Sequence, residues 1–157
     1  MITNNFNPQQ FLKMTRVIYF SLWIGLMTFF LMVLFITNHK LVFNTSMSDP
    51  LMISTFIIAC VFLPAGNRYT RMTFRKINQD DSLMNRLTKY QTGQLIRLAT
   101  CEGVGLLSIV SLLLTSNLFF LFFLFISFFI MILYYPTPNK IGIEINLTQN
   151  EIDMFND

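Results

Sequence analysis

The sequence is short of charge, of glycine and of the residues that do chemistry. Charged side chains make up 12% of its 157 residues, about half the share of an ordinary soluble domain. That shortage excludes a freely solvated surface of normal extent. There is one histidine, His39, and there are two cysteines, Cys60 and Cys101. With no CxxC and no Cys/His cluster, neither a metal site nor a cofactor is expected. Ser-His-Asp and HExxH sets, a glycine-rich phosphate loop and paired intramembrane acids are all missing, so no enzyme is expected. Six glycines are too few for the tight helical hairpins of rotary proteolipid rings.

Apolar residues are abundant. They form 54% of the chain, with 18 phenylalanines and 10 methionines. A soluble fold of this size has too little interior to hide them, whereas a bilayer removes that limit. The expected class is an all-α integral membrane protein, a four-transmembrane-helix bundle with cytoplasmic helical extensions. The predicted spans are about 17–37, 51–66, 95–114 and 118–135. The first is too long for the apolar core of a signal peptide and reads as a retained span. At 1.5 Å per residue it reaches roughly 31 Å, enough to cross the hydrocarbon.

The second span is near the lower length limit. Asp49 or Ser48 offers an N-cap and Pro50 suits a first turn, while Pro64 and Gly66 are expected to bend or end the helix. Leu41–Phe43 reads as an interfacial stretch. Asp80-Asp81-Ser82 offers a cap for a third helix that opens with Leu83, Leu87 and Tyr90 on one side and continues into the membrane. Thr115-Ser116-Asn117 is so short that spans three and four must be antiparallel neighbours. Tyr134 and Tyr135 form an interfacial anchor, and Pro136 and Pro138 end span four. In the tail, 136–157, Thr137-Pro138 favours a short helix over a strand, and Thr148-x-x-Glu151 is a capping-box pattern for another.

Basic residues set the orientation. Lys13 and Arg16 precede span one; Arg68, Arg71, Arg75, Lys76, Arg86, Lys89 and Arg97 lie between spans two and three; Lys140 follows span four; only Lys40 falls on the other side. The positive-inside rule therefore predicts cytoplasmic termini and a cytoplasmic 67–94 segment. Within that segment Arg68, Arg71, Arg75 and Lys76 form a basic face suited to anionic lipid or a protein partner. It lacks the interleaved aromatics of a nucleic-acid module, so no nucleic acid is expected.

Glu102 is the only acid inside a predicted span. Such residues are costly and often functional. It falls about 10 Å inside the span, at a depth comparable with Ser21, Trp23, Cys60 and Ser127, which could form a small polar cluster with it. Either Glu102 is a proton or cation site, or it joins helices by hydrogen bonding, or it snorkels towards Arg97 or the interface. Ala99, Gly103, Gly105 and Ser108 beside it favour close helix packing.

The segment KYQTGQLIRLATCEGVGLLSIVSLLLTSN, with YYPTPNKIGIEINL after span four, resembles small four-helix inner-membrane proteins of Bacteroidota-type bacteria. The resemblance covers the second half of the chain, implies a bacterial inner membrane and adds no site. The function expected is that of a non-enzymatic accessory or scaffold subunit of a membrane complex, partnered by another membrane protein or by itself. A small transporter or ion-conducting protein using Glu102 is the alternative.

Overall fold

The computed structural model describes residues 7–37, 41–44 and 49–155. Six helices follow in order: α1 (Pro8–Thr37), α2 (Pro50–Arg75), α3 (Leu83–Thr115), α4 (Phe120–Leu133), α5 (Pro138–Ile145) and α6 (Gln149–Asp153). Among the described residues the only extended pairing is an isolated bridge between Val42 and Asn117. Through it the 41–44 segment is tied to the α3–α4 turn: Val42 N donates to Ser116 O, and Leu118 N donates to Val42 O.

Helices α1, α2 and α3 are long and apolar enough to cross a membrane, and α4 joins them if it is counted with α5 as one broken span. With 30, 26 and 33 residues, the first three run about 45, 39 and 50 Å, beyond the ~30 Å hydrocarbon thickness. Helix α3 is central and packs against α1, α2 and α4. Two contacts along α3 locate α4: the turn joins them at Ser116, and well back along α3 Gln94 Nε2 donates to Tyr134 O, just past the far end of α4. The two helices are therefore antiparallel neighbours along the length of α4.

Two elements differ from their sequence expectation. Helix α2 does not stop at Pro64 or Gly66 but continues to Arg75. An interior proline costs a helix about 3 kcal/mol, so tertiary packing must hold the continuation. Gly66 supplies it, because a Cβ there would lie 2.1 Å from Thr100 Oγ1. One turn on, the buried Thr70 hydroxyl lies 2.9 Å from both Gly66 O and Gly93 O and donates between them. Gly93 in turn lies against the Phe74 ring. The fourth span is also shorter than 118–135, with regular helix over only 14 residues. Its entry is a tighter turn, in which Phe120, Leu121 and Phe122 N–H groups each bond three residues back.

Capping residues mark the other helix starts. Asp49 Oδ1 accepts from Leu51 N at 2.9 Å, Ser82 Oγ from Asn85 N and Thr137 Oγ1 from Lys140 N. Ser48, the other candidate cap of α2, lies outside the described residues. The tail forms two short helices, α5 and α6, the second opened by a capping box of Thr148 and Glu151.

The apolar side chains form two cores. The larger joins Tyr19, Leu26, Leu98, Val104, Phe120 and Leu124 from α1, α3 and α4, with Met52 and Ala59 of α2. The smaller joins Leu12, Phe74, Leu87, Tyr90, Ile141 and Ile145, beyond the apolar segment of α3.

Candidate functional site

Helix α3 contributes to both cores, and at their junction it carries polar side chains that point inward. Arg97 is 2% exposed and Gln94 1%. Stepping by three and four along α3 from Leu87 passes through Tyr90, Gln94, Arg97 and Cys101, so Arg97 lies on the buried stripe. A buried guanidinium needs a counter-charge, and Glu144 of α5 provides it: Arg97 Nη1 donates to Glu144 Oε1 at 2.8 Å. The guanidinium also lies over the Tyr134 ring at 4.4 Å and the Phe74 ring at 5.4 Å, an arrangement that favours a cation.

Tyr90 stacks on Phe74, their centroids 5.1 Å apart. Its hydroxyl and Glu144 Oε2 are both buried without a close hydrogen-bond partner. Tyr90 precedes the apolar 95–114 segment. Burial first, and the nearby Glu144 carboxylate second, push its hydroxyl above the ordinary range.

A second buried arginine holds the tail further along. Arg86 Nη1 donates to Glu151 Oε1 at 2.9 Å, and its Nη2 donates to Asn146 O at 3.0 Å and Ile145 O at 3.4 Å. Those carbonyls end α5, where helix groups lack intrahelical partners. Glu151 Oε2 meanwhile accepts from Thr148 N at 2.8 Å, which closes the capping box. Sequence position alone puts both arginines with the loop charges. In the structure both are spent on docking α5 and α6 against α3.

On α2 the basic side chains face outward. Arg68, Arg71, Arg75 and Lys76 are exposed, and no acid pairs with them among the described residues. Arg71 and Arg75 line a cavity of about 310 Å³ together with Arg97 and Glu144. Arg68, Arg71 and Arg75 line an adjoining one of about 410 Å³.

The structure does not assemble the polar cluster expected around Glu102. Ser21 and Cys60 are exposed, and Ser21 bonds only its own helix, at Val17 O. Helix rotation decides this: both residues sit on faces of α1 and α2 turned away from α3. Trp23 Nε1 and Ser127 Oγ are buried without partners; Trp23 meets Phe128 edge-on, 5.7 Å between centroids. Glu102 is half-buried and makes no hydrogen bond or ion pair among the described residues. The small residues divide as well. Gly105 abuts Leu26, where a Cβ would come within 2.8 Å, and Ser108 is 1% exposed. Ala99 and Gly103 face outward, and among the described residues nothing beyond the adjoining turns of α3 lies within 4 Å of a Cβ built on Gly103. Among the described residues no group of three or more His, Cys, Asp or Glu could hold a metal ion.

No family profile, curated protein sequence or solved structure matches this chain.

Proposed function

We propose that this chain is a non-enzymatic accessory or scaffold subunit of a membrane complex, or a small homo-oligomer, in a bacterial inner membrane with both termini cytoplasmic. The supporting observation is the outward face of α3. Ala99 and Gly103 lie there exposed, beside a half-buried Glu102 with no bonding partner among the described residues. Small residues four apart let a second helix approach closely. A carboxyl in hydrocarbon is costly until another polar group meets it. A partner helix laid on this face meets both demands. The lock of Arg86 and Arg97 on the tail fits the same reading, because the most elaborate polar chemistry of the chain holds its own elements together.

The alternative, a small transporter or ion-conducting protein, needs water to reach Glu102. Two of the cavities between the apolar helices are lined by α2 side chains and by residues between Phe119 and Ile126, without Glu102. The deciding experiment is cross-linking in native membranes with Gly103→Cys on a Cys60→Ala background. A disulfide-linked dimer or a discrete heavier adduct is expected, and Glu102→Gln should preserve it. A chain that stays monomeric and unlinked in the membrane and in mild detergent would sink the proposal.

A further inference from the structure

Arg68, Arg71 and Arg75 stand out because no acid among the described residues pairs with them, whereas Arg86 and Arg97 each have a carboxylate. They continue a face of α2 that is otherwise apolar. Phe56, Cys60, Pro64, Arg68, Arg71 and Arg75 follow at steps of three or four and fall within one broad stripe of the helix. Below the arginines this stripe borders a groove of about 350 Å³ between α2 and α4, walled by Phe56, Cys60, Leu63 and Pro64 on one side and Phe122 and Ile126 on the other. Above it lies the cavity that Arg71 and Arg75 share with Arg97, whose Nε is buried without a partner.

We propose that this stripe binds one anionic phospholipid of the bilayer, its phosphate against Arg71 and Arg75 and an acyl chain in the groove between α2 and α4. The proposal rests on the membrane reading above. Dimensions favour a lipid over a small soluble anion. From Arg71 back to Cys60 is eleven residues, about 16 Å along the axis, close to half of the ~30 Å hydrocarbon thickness. A chain hung from the arginines therefore ends near the bilayer midplane, within the groove. The smaller cavity of about 140 Å³ at Met52 and Phe119 lies beyond that reach. Glu144 also lines the upper cavity, but its charge is met by Arg97 at 2.8 Å. The net charge facing a phosphate is therefore that of the other arginines.

The test is phospholipid retention. The full chain is reconstituted in vesicles of phosphatidylcholine alone and of equal parts phosphatidylcholine and phosphatidylglycerol, then released into mild detergent and weighed by native mass spectrometry. One phosphatidylglycerol per chain should remain bound. Arg71→Gln should weaken retention about five-fold and Arg71→Gln with Arg75→Gln about twenty-five-fold. Both side chains are exposed, so the fold should persist. Cys60→Trp should lower retention by filling the groove, with no change of charge. Lys13→Gln removes an exposed charge of α1 that lines neither cavity and should leave retention unchanged. Equal loss with Lys13→Gln would overturn the site in favour of general surface attraction. Equal retention of phosphatidylcholine, or displacement by inorganic phosphate with no effect of Cys60→Trp, would overturn the lipid site while leaving the membrane reading intact. Failure to float with either vesicle would overturn both.

Discussion

Breaking the Arg97–Glu144 pair should cost more than breaking any other polar contact in the chain. The Arg97 side chain is 3% exposed and that of Glu144 20%. In Glu144→Gln the guanidinium stays buried and loses its only carboxylate. What remains is Gln94 Oε1 at a marginal 3.5 Å and the Tyr134 and Phe74 rings. Removing one partner of a buried ion pair costs about 3–5 kcal/mol, because the other charge is left uncompensated. Cation–π attraction of about 2 kcal/mol when desolvated is already present and cannot grow to offset it. Arg97→Met with Glu144→Leu removes both charges and should cost far less than the sum of the two single changes, or even stabilise. The second lock provides the internal control. Glu151→Gln leaves Arg86 bonded to two carbonyls, so it should cost only about 1.5–3 kcal/mol, the range of one charged hydrogen bond. The assay is reversible unfolding in mixed micelles, read together with proteolysis at 146–148 to follow tail release. A Glu144→Gln cost below that of Glu151→Gln, or additive single and double variants, would refute the reasoning.

Two other expectations follow from the geometry. Gly66→Ala should destabilise by about 1–3 kcal/mol through overpacking against Thr100, whereas Gly103→Ala should be neutral or raise the melting temperature, since its Cβ meets nothing and alanine is the better helix former; a reversed order in thermal melts would refute the assigned faces of α2 and α3. Cytoplasmic termini require that an impermeant reagent applied to intact cells labels Asn44→Cys and spares Asn78→Cys, and the opposite pattern would invert the topology.

The features legible in the sequence were those set by local chemistry. Asp49, Ser82, Thr137 and the Thr148–Glu151 box each act within a few residues of themselves, and each bond is present. What failed depended on contacts between distant residues. Pro64 and Gly66 are local breakers, and only the buried Thr70, Gly93 and Thr100 surroundings show why α2 survives them. Ala99-xxx-Gly103 signals close approach by a helix but not whether that helix belongs to this chain; among the described residues Gly66, Gly93, Gly105 and Gly142 make the close contacts. Arg97 was the larger omission. Its position puts it with the loop charges, although continuing the Leu83, Leu87, Tyr90 stripe by helical steps reaches it and predicts burial. Its partner could not have been found that way, because Glu144 is 47 residues away.

The shortness of α4 gives the polar junction a physical purpose. The last carbonyls of any helix lack intrahelical donors, and in a medium of low dielectric that lack is expensive. Helix α4 ends where both cores meet, and donors converge on it from three elements. Tyr19 Oη of α1 donates to Met131 O at 3.0 Å. Lys140 Nζ of α5 donates to Leu133 O, and Gln94 Nε2 of α3 to Tyr134 O. Arg16 Nε reaches Pro136 O at 3.4 Å, just past the helix end. Arg16, Arg97 and Lys140 also bring positive charge to the negative end of the helix dipole, and each lies over a Tyr134 or Tyr135 ring. The 86° bend into α5 then returns Glu144 to Arg97, which offsets part of that charge. A fourth helix of only 14 residues can therefore stop at this level because α1, α3 and α5 satisfy its end, and the same side chains fix the angle at which the tail leaves it.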